Sequence, residues 1–237
     1  TMENKVLILI QGKEIAASRY RILQYIPYLE EHGLSCQVQE FPNTLREYLS
    51  LYSILPGYRA VFVQRKRFHF PFLPLFQNRA QRIVYDLDDA VMFKNSLAGS
   101  PYSRTREKRF RRMACASDII IAGNTFLKEK ALAYNKNVEV IPSSIPVGTY
   151  ELKDYSIEKQ KVTIGWIGDH GSIHYLERLK TVWDAIGRKY PGQVELKIIC
   201  DVFFDCDVMP VRKIQWSSET EIEELKDIDI GIMPLMD

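Results

Sequence analysis

A chain of 237 residues with 46% apolar and 26% charged side chains has globular composition, which excludes a disordered or fibrous protein. A net charge of +2 with no recognition motif argues against nucleic acid as a partner, and four scattered cysteines fit a reducing compartment better than a disulfide framework. No apolar run approaches the roughly 18 residues of a spanning helix, and Val6–Ile10 is too short for a signal-peptide core. The sequence therefore predicts a cytoplasmic protein, at most peripheral to the inner face of the membrane.

In chain order, Lys5–Ile10 is a continuous apolar run, the pattern of a central parallel strand buried on both faces. A polar loop containing Gly12 leads into a helical pattern over Tyr20–His32, stopped by Gly33. Ser35–Phe41 reads as a second strand, followed by a Leu- and Tyr-rich helix to Ile54. Further strands are predicted at Ala60–Gln64, Ile83–Leu87, Ile119–Ala122 and Val138–Ile141, with helices over Arg104–Ala116 and Thr125–Ala133. This alternation predicts βαβ units around a parallel sheet, a complete doubly wound domain over 1–150.

After a linker rich in Pro and Ser a second cycle starts. Lys161–Gly168 is a strand running into a glycine loop, Tyr175–Lys189 is an amphipathic helix, and Val194–Cys200 is a strand. Ile214–Trp216 and Ile228–Met233 read as short strands flanking a helix over Glu219–Lys226. The expectation is a second Rossmann-like domain over 151–237 that Asp237 cuts short, leaving an unpaired apolar edge near Ile228–Met236 and hence a homodimer.

Ligands of open parallel sheets bind beyond the carboxyl ends of the strands, and four stretches lie there. After the first strand, Ser18, Arg19 and Tyr20 follow small residues that let backbone amides approach an anion; an ordinary βα turn explains them equally well. Asp86, Asp88 and Asp89 form an acidic cluster readable as a cation site, as a carboxylate that orients a substrate hydroxyl, or as a helix N-cap for the segment from Ala90. Gly168, Asp169 and Ser172 belong to a strand–glycine–helix turn able to cradle a phosphate, although it is no P-loop. His170 and His174 read as solvated residues rather than zinc ligands.

The fourth stretch is basic: Arg104–Arg112 carries six positive side chains against Glu107, and Arg65–Arg67 precede Phe68, Phe70, Phe72 and Phe76. It reads as an anionic-membrane or anionic-acceptor patch, or as a solvated helix face beside a buried aromatic loop.

As an ordered set, several stretches resemble the retaining family 4 (group 1) glycosyltransferases of GT-B fold. They are Ala17–Ile22, Ile83–Asp89, Ile164–Gly168 with Tyr175–Leu176, Trp216, and Asp227–Leu235. The resemblance implies two Rossmann-like domains and retaining transfer of a sugar from a nucleotide-sugar donor to a saccharide or glycolipid acceptor. It implies no metal and no cofactor. The donor diphosphate would rest on Gly168, Asp169 and Ser172, with the nucleotide near Trp216 and the loop after Cys200. The acceptor would lie near Ser18, Arg19, Tyr20 and Asp89, with Asp88 beside the reacting sugar. Asp88 replaces the family's usual histidine, and the Asp169–His174 loop lacks the family's arginine and lysine. A non-catalytic scaffold at a membrane or polysaccharide-synthesis complex is the alternative these departures raise.

Overall fold

The computed structural model describes residues 4–157 and 159–235. The chain divides into two compact units, Thr1–Ile145 and Pro146–Asp237. Both are α/β units built on parallel sheets.

The first unit holds six strands: β1 Lys5–Ile10, β2 Ser35–Glu40, β3 Ala60–Gln64, β4 Ile83–Leu87, β5 Ile119–Ala122 and β6 Val138–Val140, in the order β2-β1-β3-β4-β5-β6. Its helices are α1 Ala16–Arg21, α2 Ile26–Glu31, α3 Leu45–Ile54, α4 Phe72–Arg79, α5 Arg104–Ala116 and α6 Thr125–Leu132. One face of the sheet packs Ile8, Ile10 and Phe62 against Ile22, Leu23 and Ile26. The other carries the larger core, in which Leu7, Leu9, Val61 and Val63 meet Tyr48, Leu73, Phe76, Phe110 and Leu127. The chain leaves β1 over one face and β3 over the other, which sets the topological switch point between these two strands.

The helix expected over Tyr20–His32 is two helices joined by a 3-10 turn at Leu23–Tyr25. Pro27 is the cause: it lacks the amide an interior helical position needs and sits instead in the first turn of α2. The stop at Gly33 holds, with its N–H bonded to Glu30 and that of Leu34 to Leu29. The stretch around Phe68–Phe76 contains a helix, α4, that the aromatic-loop reading overlooked; Phe68, Leu73 and Phe76 are all buried. No helix starts at Ala90. The next one, α5, is capped by Ser103, whose hydroxyl accepts from the Arg106 N–H, so the N-cap reading of the acidic cluster is incorrect.

The second unit has β7 Val162–Ile167, β8 Val194–Cys200, β9 Val211–Gln215 and β10 Ile230–Gly231 in the order β10-β7-β8-β9, with α7 Ile173–Glu177, α8 Lys180–Lys189 and α9 Glu221–Lys226. Leu196, Ile198 and Cys200 of β8 form its core with Trp166, Leu176, Trp183 and Met209. The single helix expected over Tyr175–Lys189 is broken at Leu179. The buried Trp183 indole donates to the Leu176 carbonyl at 3.0 Å, satisfying one acceptor that the break frees. The last strand is two residues long rather than six. Of the apolar edge expected around it, Ile230, Met233 and Leu235 are exposed, and Met236 lies outside the described residues.

Candidate functional site

In the first unit, polar side chains collect at the carboxyl ends of β1, β3 and β4, beside the switch point. Gln64 closes β3 and is fully buried; its Oε1 accepts from the Ser18 hydroxyl at 2.8 Å and from the Gln11 N–H at 3.4 Å. The Nε2 atoms of both glutamines and Oδ1 of Asp88 are buried without a hydrogen-bond partner among the described residues. Such groups cost about 1–3 kcal/mol each when left unpaired.

Asp86, at the end of β4, is clamped by Arg21 of α1, with Nη2–Oδ1 at 2.5 Å and Nε–Oδ2 at 3.2 Å. Arg21 also donates Nη1 to the Ile141 carbonyl at 2.5 Å, tying α1, β4 and the segment after β6 together. Burial pushes the Asp86 carboxyl up to about 6, while the guanidinium pulls the other way. With its carboxylate engaged by Arg21, Asp86 is not available to a cation. Asp88 and Asp89 are held by Arg65. Its Nε is 3.7 Å from Asp88 Oδ1, and its Nη2 hydrogen-bonds Asp89 Oδ2. Arg65 has φ +56°, a left-handed backbone for a side chain that disfavours it. That turn folds the guanidinium back over the two acids. Asp88 is the more enclosed of the pair, 16% exposed against 58% for Asp89.

Ser18 therefore points inward and is fully buried against Gln64, whereas Arg19 and Tyr20 are half-buried, the guanidinium 5.3 Å from the centre of the tyrosine ring. The inward cation is Arg21. The spacing signals this, because Ser18 and Arg21 are three apart on a helix and share a face. Gln64 and the turn at Arg65 have no sequence signature, since a polar residue ending a strand is unremarkable until its neighbours are known.

In the second unit the expected donor residues also sit at carboxyl ends, after β7 and β9, with β8 between. Gly168 follows β7. A Cβ there would lie 2.3 Å from Trp166 Cζ2, so the glycine is required by tryptophan packing. Ser172 turns on its own loop, donating to Asp169 Oδ1 at 2.8 Å and accepting from the Asp169 N–H at 3.2 Å. Trp216, directly after β9, bonds through its N–H to the Cys200 carbonyl at 3.1 Å and through its indole to Glu221 at 2.9 Å.

His170 reads from the sequence as a solvated residue, and its side chain is 73% exposed. Its Nδ1 is 2.7 Å from Oδ2 of Asp201, the residue following β8, so the pair spans the loops of adjacent strands. Asp201 raises the imidazole pKa, through the hydrogen bond first and its charge second. His170 is thus the side chain in this loop, which lacks arginine and lysine, whose positive form Asp201 favours. The signal was an Asp one residue beyond an apolar strand, legible only once β7 and β8 are paired.

The basic helix α5 keeps its charges on the surface. The apolar half of the expected patch shrinks to Phe70 and Leu75, because Phe68, Leu73 and Phe76 are core. Arg112 lies 5.6 Å from the exposed Phe70 ring, over a groove of about 340 Å³ between α4 and α5. Among the described residues no cluster of three or more His, Cys, Asp or Glu side chains could hold a metal, and no helix is long and apolar enough to cross a membrane.

No family model matches the sequence, and no curated protein matches it at a significant level. Solved structures do match the fold. A glycosyltransferase from Rickettsia africae superposes with a TM-score of 0.61 at 10% identity, over 97% of this chain and 72% of that one. An E. coli trehalose-6-phosphate structure bound with UDP-2-fluoro glucose gives 0.61 at 11% identity, over 99% and 79%. The UDP-GlcNAc 2-epimerase from Neisseria meningitidis bound to UDP-GlcNAc gives 0.60 at 12%, over 96% and 76%. At these identities the likeness is one of architecture: this chain shares the two-Rossmann-domain GT-B fold.

Proposed function

We propose that this chain is a nucleotide-sugar-dependent glycosyltransferase, transferring a sugar with retention to a saccharide or glycolipid acceptor and using no metal. The observation that carries the reading is the cluster of buried polar side chains at the carboxyl ends of β1, β3 and β4, beside the β1–β3 switch point. The Nε2 atoms of Gln11 and Gln64 have no hydrogen-bond partner among the described residues and Asp88 Oδ1 has only the Arg65 ion pair, which leaves polar capacity that sugar hydroxyls would use. In the second unit, His170 with Asp201 would receive the donor diphosphate and Trp216 would take the base. Neighbours of the same fold that hold UDP-sugars support this assignment. Asp88, oriented by Arg65, would orient the acceptor hydroxyl. A glycolipid acceptor would bring the protein to the membrane surface, and the exposed residues beyond β10 would pair two copies.

The test is incubation of the full chain with a panel of UDP-, GDP- and ADP-sugars, with calorimetry for binding and mass spectrometry for products. Expected are binding of one nucleotide class and a glycosylated acceptor from a crude glycolipid extract. Epimerised sugar without transfer would assign the chain to the other activity seen among its fold neighbours. Absence of binding across the panel at millimolar concentration would sink the enzyme reading and leave a scaffold.

A further inference from the structure

The loop after β3 and the first turns of α5 gather basic side chains at the carboxyl edge of the first unit. Arg67 donates Nη1 to the Val91 carbonyl, and Arg106 donates Nη1 to the Phe93 carbonyl at 2.8 Å. Those carbonyls are two residues apart, so both guanidiniums grip the same short stretch of chain. Arg109 lies one turn beyond Arg106 on α5, and His69 lies two residues beyond Arg67. Among the described residues, Asp88 and Asp89 are paired with Arg65, Glu107 of α5 accepts from the Tyr134 hydroxyl, and no ion pair joins a carboxylate to Arg67, Arg106 or Arg109.

The electrostatics agree with that geometry. Arg67 is held below its ordinary value, by burial first and then by Arg106, Arg109 and Arg65, against the pull of Tyr85. His69 is held down by burial and by Arg109 and Arg67. Arg67 and Arg109 are partly buried and Arg106 is exposed, and the mutual repulsion of these guanidiniums would be offset by a multiply charged anion among them. Guanidinium forks match tetrahedral phosphate oxygens. Phe93 carries the apolar side of the same place, edge-on to the exposed Tyr102 at 6.0 Å and tilted to Phe126 at 6.4 Å.

We propose that Arg67, His69, Arg106 and Arg109 form a binding site for a phosphate or diphosphate group carried by the acceptor. Only the word acceptor rests on the transferase reading; the anion site stands on its own residues. The chemistry fits free phosphate esters and lipid-linked diphosphates alike.

The test titrates inorganic pyrophosphate into the full chain at low salt, with UDP affinity measured in parallel. Arg67→Gln with Arg109→Gln should weaken pyrophosphate binding about tenfold or more while UDP binding is unchanged. Arg109→Gln alone, a helix-surface change, should weaken it less, and Arg188→Gln on α8 should have no effect. Equal affinity in the paired variant and the parent would overturn the site, as would an absence of pyrophosphate binding at millimolar concentration. Arg67-dependent pyrophosphate binding in a chain that binds no nucleotide sugar would keep the site and discard the transferase. Vesicle sedimentation then separates the sources. Phosphatidylcholine vesicles doped with a polyprenyl diphosphate should retain the protein, and pyrophosphate should compete it off. Equal retention by phosphatidylglycerol vesicles, insensitive to pyrophosphate, would replace a discrete site with diffuse surface attraction.

Discussion

Asp86 and Arg21 form a buried pair whose worth depends on both members staying. Removing Arg21 leaves a carboxylate with 1% exposure and no counter-charge. Arg21→Met should cost about 3 kcal/mol or more in urea unfolding, and Arg21→Met with Asp86→Leu should recover much of that loss. The pair also has a pH signature. Because the folded carboxyl titrates near 6, above its ordinary value of about 4, the folded state binds more protons across that window. Its contribution is therefore favourable below about pH 4 and is lost as pH rises through 6. Asp229 runs the other way. Burial would raise it, but hydrogen bonds from Lys153, the Thr163 N–H and Lys159 hold it down to about 2. Its contribution, about 1 kcal/mol after solvent screening, is present above pH 4 and is lost as pH falls toward 2. Asp229→Asn should flatten the acid limb of a melting-temperature profile. His170 gives a third dependence, on binding: donor affinity should fall in calorimetry as pH rises through the imidazole's elevated pKa. Asp201→Asn should move that midpoint to lower pH. An unchanged midpoint would remove His170 from the donor side.

At the scale of elements, the strands were legible and the helix breaks were not. Short apolar runs such as Val6–Ile10, bounded by polar residues and too short for a helix, read as strands, and their positions agree with the observed strands to within a few residues. Helical periodicity, by contrast, runs straight through Pro27 and Leu179, because an amphipathic pattern records which face is buried and not whether the axis is continuous. The second unit shows how closely one helix and one strand fit. A Cβ on Gly165 of β7 would lie 2.3 Å from Ile228 Cδ1, just beyond α9. Gly165→Ala should cost about 1–3 kcal/mol, and Ile228→Ala, which removes all three crowding carbons, should show a favourable coupling with it in the double variant.

For the molecule as a whole, the doubly wound class followed from the order of strand and helix alone. The switch point did not, because it depends on β3 pairing with β1 rather than with β2. The candidate site inherits that gap: Ser18 and Asp88 were visible as polar residues after strands, while Gln64, Arg65 and Asp201 gained meaning only from strand adjacency. The exposed Ile230, Met233 and Leu235 bear on self-association. Sedimentation velocity should show a concentration-dependent dimer that Met233→Asp with Leu235→Asp converts to monomer, and a strictly monomeric parent would refute pairing at this edge.

Arg65 has a consequence that reaches past its two acids. A left-handed backbone at a residue with a Cβ carries a penalty on the order of 1 kcal/mol, which a glycine would relieve. Arg65→Gly should thus leave the melting temperature nearly unchanged while Asp88 and Asp89 lose the cation that fixes them. Durability and readiness for ligand are uncoupled at this one position. A chain selected only for resistance to heat would have little reason to keep the arginine, and one selected for an ordered acceptor carboxylate would.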